Sequence, residues 1–197
     1  MDGFEDGAKA ERGSEAELVE RLRRGDRDAL REAYERHAGR LLDLAWRILL
    51  DREDAEDLTQ NLFVGLAGRL EGFRGESSLG TWLHRVMAND ALMLARRRGR
   101  RRSLLKRFVL PRAGREERRD PADGRDAERV VRELLGKFDP ETRAILWMRE
   151  AEALDVKSVA GALGLPEGTV KSRLSRAKAR ALRHLQEAGH GRLEDLV

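Results

Sequence analysis

Apolar residues recur along this chain at steps of three and four, with no period-two run of useful length, a pattern that predicts helices and no sheet. Ser14 followed by Glu17 reads as a capping box that opens a first helix, which Gly25 ends and Asp26 replaces with a new cap. From there Leu30, Tyr34, Leu41, Ala45, Ile48 and Leu49 keep helical spacing through one long segment. A third helix, opening at Asp51 to Glu53, carries Ala55, Leu58, Leu62, Phe63, Leu66 and Leu70 on its apolar face. Gly72, Gly75 and Ser77 interrupt the period, so Glu71 to Ser78 is expected to be a loop. A fourth helix follows, with Leu79, Trp82, Leu83, Val86 and Met93 apolar, and runs into a cluster of arginines.

From Ser103 to Asp126 the long period is lost and Pro111, Gly114, Pro121 and Gly124 enter, which marks a linker with a short ordered piece at Leu104 to Leu110. Val130, Val131, Leu134 and Leu135 then mark a helix, and Asp139 with Pro140 is a cap and first turn for the next, which holds Ile145, Leu146 and Met148. Asp155 caps a short helix whose apolar positions are Val156, Val159, Ala160 and Leu163; Gly164 and Leu165 make a tight turn, and Pro166 enters a new helix. In that last helix Val170, Leu174, Ala177, Ala181 and Leu185 share a face, leaving Thr169, Lys171, Ser172, Arg173, Ser175, Arg176, Lys178 and Arg180 outside it. A capped short helix, a glycine turn and a longer basic helix form a helix-turn-helix of the kind that presents one helix to the DNA major groove, although a solvated amphipathic helix in an ordinary bundle has a similar charge pattern. The expected fold is all-α: two small helical domains joined by a flexible linker, the C-terminal one containing the helix-turn-helix. The expected boundaries are a disordered extension at 1–13, a first domain at 14–102, a linker at 103–125, a second domain at 126–186 and a tail at 187–197.

Composition narrows this. Charged residues make up 39% of the chain and aromatics 5%, so the cores must be modest and built from Leu, Ala and Val. The net charge of +4 is mild but unevenly spread. Arg96, Arg97, Arg98, Arg100, Arg101 and Arg102 are nearly continuous, whereas Asp51 to Asp57 is strongly acidic, which points to separate surfaces for separate partners. The arginine run suits phosphates without reading sequence, or else a solvated helix end. The acidic run suits a helix N-terminus and equally a docking face for a basic partner; it lacks the ligand spacing of a calcium loop. With no cysteine there is no disulfide or thiolate metal site, and His37, His84, His184 and His190 have no metal-ligand spacing. No Walker-type glycine loop is present, so neither an enzyme nor a cofactor is expected. The N-terminus lacks the segments of a signal peptide and no apolar run approaches membrane-spanning length, so the expected location is the cytoplasm, with no membrane insertion. Phe73 and Trp82 flank the Glu71 to Ser78 loop, where they either stack on unpaired bases or brace the loop from the core.

These segments together resemble a known family. YERHAGRLLDLAWRILLDREDAEDLTQNLF, then FRGESSLGTWLHRVMAND and the arginine run, resembles the second region of bacterial sigma factors of the extracytoplasmic-function group, and LPEGTVKSRLSRAKARAL resembles their fourth region. The resemblance implies a transcription initiation factor with no chemistry of its own. It implies docking on core RNA polymerase, at the beta-prime clamp helices and the beta subunit, through Asp54, Asp57, Leu58, Gln60, Asn61 and Phe63. The loop Phe73, Arg74, Gly75, Glu76, Ser77 and Ser78, with Arg85, Asn89, Arg96, Arg97 and Arg98, would capture and separate the strands of the minus-10 promoter element. Glu167, Thr169, Lys171, Ser172, Arg173, Arg176 and Lys178 would contact the minus-35 element, with Arg173 and Arg176 able to donate to guanine or phosphate. An anti-sigma factor that clamps the two domains is the partner typical of the family.

Three departures stand out. Asn61 replaces a usual acidic residue, and Gly65, Leu66 and Ala67 stand where a tryptophan is common. Asp90 stands where the family has an apolar residue, either a surface change or a cost to the core. Lys157 and Ser158 replace glutamates. The first departure keeps open a stand-alone DNA-binding regulator that no longer binds polymerase, and a protein-interaction bundle with incidental basic patches is a third reading.

Overall fold

The computed structural model describes residues 15–108 and 126–187, all of whose regular structure is helical. The expected N-terminal extension with the Ser14 cap, Val109 and Leu110, the rest of the linker and residues 188–197 lie outside the described residues. Helix α1 spans 15–23, followed by α2 (Arg27–Leu49), α3 (Arg52–Val64), a one-turn α4 (Leu66–Arg69) with a 3-10 turn at Leu70–Gly72, α5 (Leu79–Phe108), α6 (Asp126–Leu135), α7 (Pro140–Glu150), α8 (Val156–Leu163) and α9 (Glu167–Glu187).

Local chemistry sets the boundaries. Gly25 ends the first helical segment with φ +75°, and the Asp26 carboxylate accepts from the N–H groups of Asp28 (2.8 Å) and Ala29 (3.3 Å), covering donors that a helix start leaves open. Asp139 and Asp155 do the same for α7 and α8 through Thr142 N (3.0 Å) and Ser158 N (2.7 Å). Gly65 ends α3, its N–H turned back to the Asn61 carbonyl. The ordered piece expected at Leu104 to Leu110 continues α5 through the arginine run to Phe108, so the helix crosses the expected start of the linker.

The core centres on α2 and α5. Leu41, Leu44, Ile48, Leu62, Leu66, Leu70, Leu79, Leu83 and Met87 are fully buried between α2, α3, α4 and α5. Each such side chain contributes up to about 1.5–3 kcal/mol. Two positions assigned to apolar faces by spacing are instead half exposed: Tyr34 at 48%, resting edge-on against Phe63, and Met93 at 48%. The buried apolar cluster continues without a break into Ala144, Ile145, Met148, Val159 and Val170.

The second half therefore packs on the first, with α7 against α2 and α8 against α5. At this seam Arg47 lies 4.0 Å from the Trp147 ring centroid and 5.5 Å from that of Trp46, a cation–π sandwich across the two halves. His84 of α5 faces Glu152, in the turn after α7, at 3.2 Å, and both side chains are nearly buried.

Candidate functional site

Three surfaces carry the residues singled out by sequence. The first is the outer face of α3. Asp57, Gln60 and Asn61 are exposed there, one turn apart, and Val64 one turn further on is 86% exposed. Spacing alone marks Val64 as an outward position, because it lies midway between the buried Leu62 and Leu66. Leu58 is half-buried, and Phe63 is 5% exposed beneath Tyr34. Phe63 therefore braces this face and does not present itself to a partner. Asp54 is engaged within the chain by Arg98, which also reaches Asp51 at 3.2 Å. Burial pushes the Asp54 carboxyl up from its ordinary value, and Arg98 opposes that shift without cancelling it.

The second surface is a solvent-open cavity of about 450 Å³ lined by Gly72, Phe73, Arg74, Glu76, Ser77, Trp82, Arg85, Val86 and Asn89. That is within the volume range of small-ligand sites, roughly 300–1,000 Å³. Trp82, Arg85, Val86 and Asn89 fall at one-turn steps and so share one face of α5. The aromatic pair divides its labour: Phe73, at 8% exposure, is the brace, and the half-exposed Trp82 meets it edge-on at 5.5 Å and lines the cavity. Gly75 takes φ +73°, which lets the loop double back where a side chain would strain it. Ser78 caps α5 through the N–H of Thr81 at 3.1 Å. Neither Gly75 nor Ser78 lines the cavity, so both shape it.

Arg96, Arg97 and Arg98 are not brought to this cavity. They begin two turns beyond Asn89, about 10 Å along the axis. Arg96 pairs with Glu141 at 2.7 Å, while Arg97 is exposed. The departure at Asp90 is resolved by a partner, since Arg69 of α4 reaches it at 2.6 Å and the pair sits part-buried between α4 and α5.

The third surface is α9. Gly164 supplies the left-handed turn at φ +65°, and the Pro166 carbonyl receives Val170 N at 3.1 Å as the new helix starts. Val170, Ala177 and Ala181 are buried, which leaves Glu167, Lys171, Ser172, Arg176 and Lys178 exposed and Thr169 and Arg173 half-buried. Arg173 reaches Glu141 at 2.9 Å and Asp139 at 3.5 Å, and Lys178 reaches Glu150 at 2.9 Å. Burial works to raise the Asp139 carboxyl, but hydrogen bonds from Thr142, joined by Arg173, hold it below its ordinary value. Glu141 thus takes one arginine from α5 and one from α9. Lys157 is exposed and Ser158 donates its N–H to the Asp155 cap, so both departures in α8 are compatible with the helix.

Among the described residues no group of three or more His, Cys, Asp or Glu side chains could hold a metal ion, and no helix is long and apolar enough to cross a membrane.

Comparison with known proteins matches residues 33–101 to Sigma-70 region 2 and residues 128–180 to Sigma-70, region 4. The chain is 31% identical over 178 residues to the RNA polymerase sigma-H factor of Pseudomonas aeruginosa, covering 82% of this chain and 89% of that protein. It is 32% identical over 179 residues to the ECF RNA polymerase sigma factor SigM of Mycobacterium tuberculosis, covering 91% and 88%. Among solved structures, the sigma factor RpoE in complex with the anti-sigma factor NepR from Bartonella quintana matches with a TM-score of 0.62 at 23% identity, over 79% of this chain and 96% of that one. CnrH in complex with the cytosolic domain of CnrY matches with a TM-score of 0.61 at 22% identity, over 88% and 97%. These two likenesses concern the fold.

Proposed function

Because the chain belongs to the extracytoplasmic-function sigma factors of RNA polymerase, we propose that it directs promoter-specific initiation by capturing a base of the minus-10 element in the cavity between the loop and α5. It is a transcription initiation factor, and its work is recognition and strand separation in the cytoplasm. The observation that carries the reading is the cavity itself, which joins Trp82, Arg85 and Asn89 of α5 to the loop residues Arg74, Glu76 and Ser77. An aromatic face with hydrogen-bonding groups around it suits an unstacked base, at about 1–3 kcal/mol per stacked base. In the same reading the outer face of α3, with Asp57, Gln60, Asn61 and Val64, docks on the beta-prime clamp helices, and the beta subunit receives other parts of the chain. The N-terminal part of α9 enters the major groove of the minus-35 element, where Arg173 and Arg176 donate to guanine or phosphate. An anti-sigma partner belongs to the reading, supported by the one seen on the RpoE neighbour.

The test is reconstitution with core polymerase and mapping of transcript starts. A restricted set of start sites with two shared upstream elements is expected, and Trp82→Ala and Asn89→Ala should lose opening of duplex templates while still co-purifying with polymerase. Absence of initiation on any genomic template with an active core would refute the reading. Failure to co-purify would favour the stand-alone regulator.

A further inference from the structure

The cavity loop is held at both ends by a single helix that the family match does not include. Helix α1 spans 15–23, ahead of the matched segment, which begins at residue 33. At the entry of the loop, Arg23 Nη2 donates to the carbonyl oxygen of Phe73 at 2.8 Å and to that of Leu70 at 3.4 Å. Its other terminal nitrogen, Nη1, pairs with Glu20 at 2.6 Å, which fixes the guanidinium plane. At the exit, the Glu15 carboxylate accepts from the N–H of Leu79 at 2.8 Å. That N–H opens α5 and has no partner within its own helix, so Glu15 supplies a cap from a distant segment.

Helix α1 is itself anchored, because Leu18, Val19 and Leu22 are buried to within 3% exposure. Between the two grips, Arg74 to Ser78 are all exposed. The hydrogen bonds seen within that stretch and its junction with α5 are short-range ones: Ser77 to the Ser78 carbonyl, Ser78 with Thr81, and the Trp82 N–H to the Ser78 carbonyl.

We infer that α1 is a brace that sets the shape of the base-capturing loop, with Arg23 and Glu15 as positioning residues for strand separation. The inference rests on the function proposed for the cavity. A loop held at entry and exit is already ordered when a base arrives. A loop released at one end loses that order, and base capture then carries the entropic cost of restoring it. Charge-assisted hydrogen bonds to backbone groups are among the stronger ones, so the loss of one grip is expected to lower duplex opening roughly tenfold.

The experiment uses the full chain with core polymerase and a promoter located by start-site mapping, offered as duplex and as the same sequence pre-melted across the minus-10 element. Arg23→Ala and Glu15→Ala are expected to lose about tenfold on duplex and no more than about twofold on the pre-melted template, with core binding unchanged. Arg23→Lys and Glu15→Gln, which keep a donor and an acceptor at the two grips, are expected to recover most of the activity. Glu15→Ala carries the test if Arg23→Ala does not fold. Equal losses on both templates would mean that α1 only stabilises the fold, and would overturn the inference. So would full duplex activity in both alanine variants while Trp82→Ala and Asn89→Ala fail, an outcome that leaves the cavity reading standing. Full duplex activity in Trp82→Ala and Asn89→Ala as well would remove the cavity reading, and the brace with it.

Discussion

His84 and Glu152 meet at 3.2 Å across the seam between the two halves, with side-chain exposures of 6% and 9%. His84 Nδ1 lies 2.7 Å from the Gly80 carbonyl oxygen, which can only accept, so that nitrogen carries a proton, and an ion pair with Glu152 requires a second proton on Nε2, the nitrogen that faces the carboxylate. For a charged pair at this distance the Coulomb attraction is about 5 kcal/mol at an effective dielectric of about 20. Removing two ions from water costs several kcal/mol each, so the pair is close to neutral in net stability. Breaking it from one side is different. His84→Leu leaves a carboxylate buried at the seam without its partner, close to Asp43, whose own carboxyl is pushed up mainly by burial, with Glu152 adding to the rise. The expected cost of His84→Leu is about 3 kcal/mol. The double variant His84→Leu, Glu152→Met, apolar on both sides, should return to within about 1 kcal/mol of the parent. Urea unfolding followed by tryptophan fluorescence suits the measurement, since Trp46 and Trp147 both flank Arg47 at the seam. A double variant whose loss equals the sum of the two single losses, within about 0.5 kcal/mol, would show that the two side chains are not coupled and would refute the reasoning.

Gly164→Ala should destabilise the helix-turn-helix by roughly 1–2 kcal/mol through backbone strain, because φ is +65° and an added Cβ would meet nothing within 4 Å; chemical denaturation checks it, and an unchanged midpoint would count against the left-handed turn. Burial depresses the His37 pKa below its ordinary 6.5, with His84, Arg36 and Arg40 adding to the effect. The sign follows: the unfolded chain takes up the proton first, so stability present above about pH 6.5 is lost as pH falls through the depressed folded value. The parent should therefore lose stability relative to His37→Gln on acidification, and a relative gain would be the wrong sign. Glu141→Gln removes the charge that Arg96 and Arg173 share, leaving Arg173 only its longer contact to Asp139. At about 0.2–1 kcal/mol per exposed pair, it should strengthen binding to a duplex minus-35 fragment by a few-fold more than Glu150→Gln, which removes the same charge but frees only Lys178; equal effects on a salt titration would show that net charge alone is at work.

The parts legible in the sequence are those decided by neighbours in the chain. Asp26, Asp139 and Asp155 cap helices because the N–H groups they accept from lie two or three residues away. The loop was legible from its glycines, and Gly75 and Gly164 take the positive φ that only glycine adopts cheaply. Faces were less legible than helices. Phe63 and Phe73 were candidates for contact and are buried, while Tyr34 and Met93 kept the apolar step and are half exposed. A helix period says which residues share a stripe and leaves open how far a neighbour covers it. Least legible were contacts between distant segments: Arg23 with the Phe73 carbonyl, Arg69 with Asp90, and Trp147 with Arg47. No local propensity encodes these, and each depends on how the helices stack.

That stacking divides the proposed contacts into two classes. The α3 face and the cavity are open to solvent with the two halves packed together, so a partner needs no rearrangement to reach Asn61, Val64 or Trp82. Arg96, Arg98, Arg173 and Lys178 are each held by carboxylates of the chain itself: Glu141, the Asp51 and Asp54 pair, Glu141 with Asp139, and Glu150. A phosphate must displace those acids before it can bind. Pairs that are part-exposed are weak, on the order of 1 kcal/mol each, so a polyanion with many phosphates can displace them where a single anion cannot. Glu141 adds a geometric condition, because it holds Arg96 and Arg173 within one carboxylate's reach of each other. Freeing either arginine for DNA therefore breaks a contact that ties α5 or α9 to the start of α7. In the proposed reading the outer face of α3 at Asn61 and Val64 and the base-capturing cavity are therefore ready as they stand, whereas Arg96, Arg98, Arg173 and Lys178 reach phosphates only after the carboxylates that hold them are displaced.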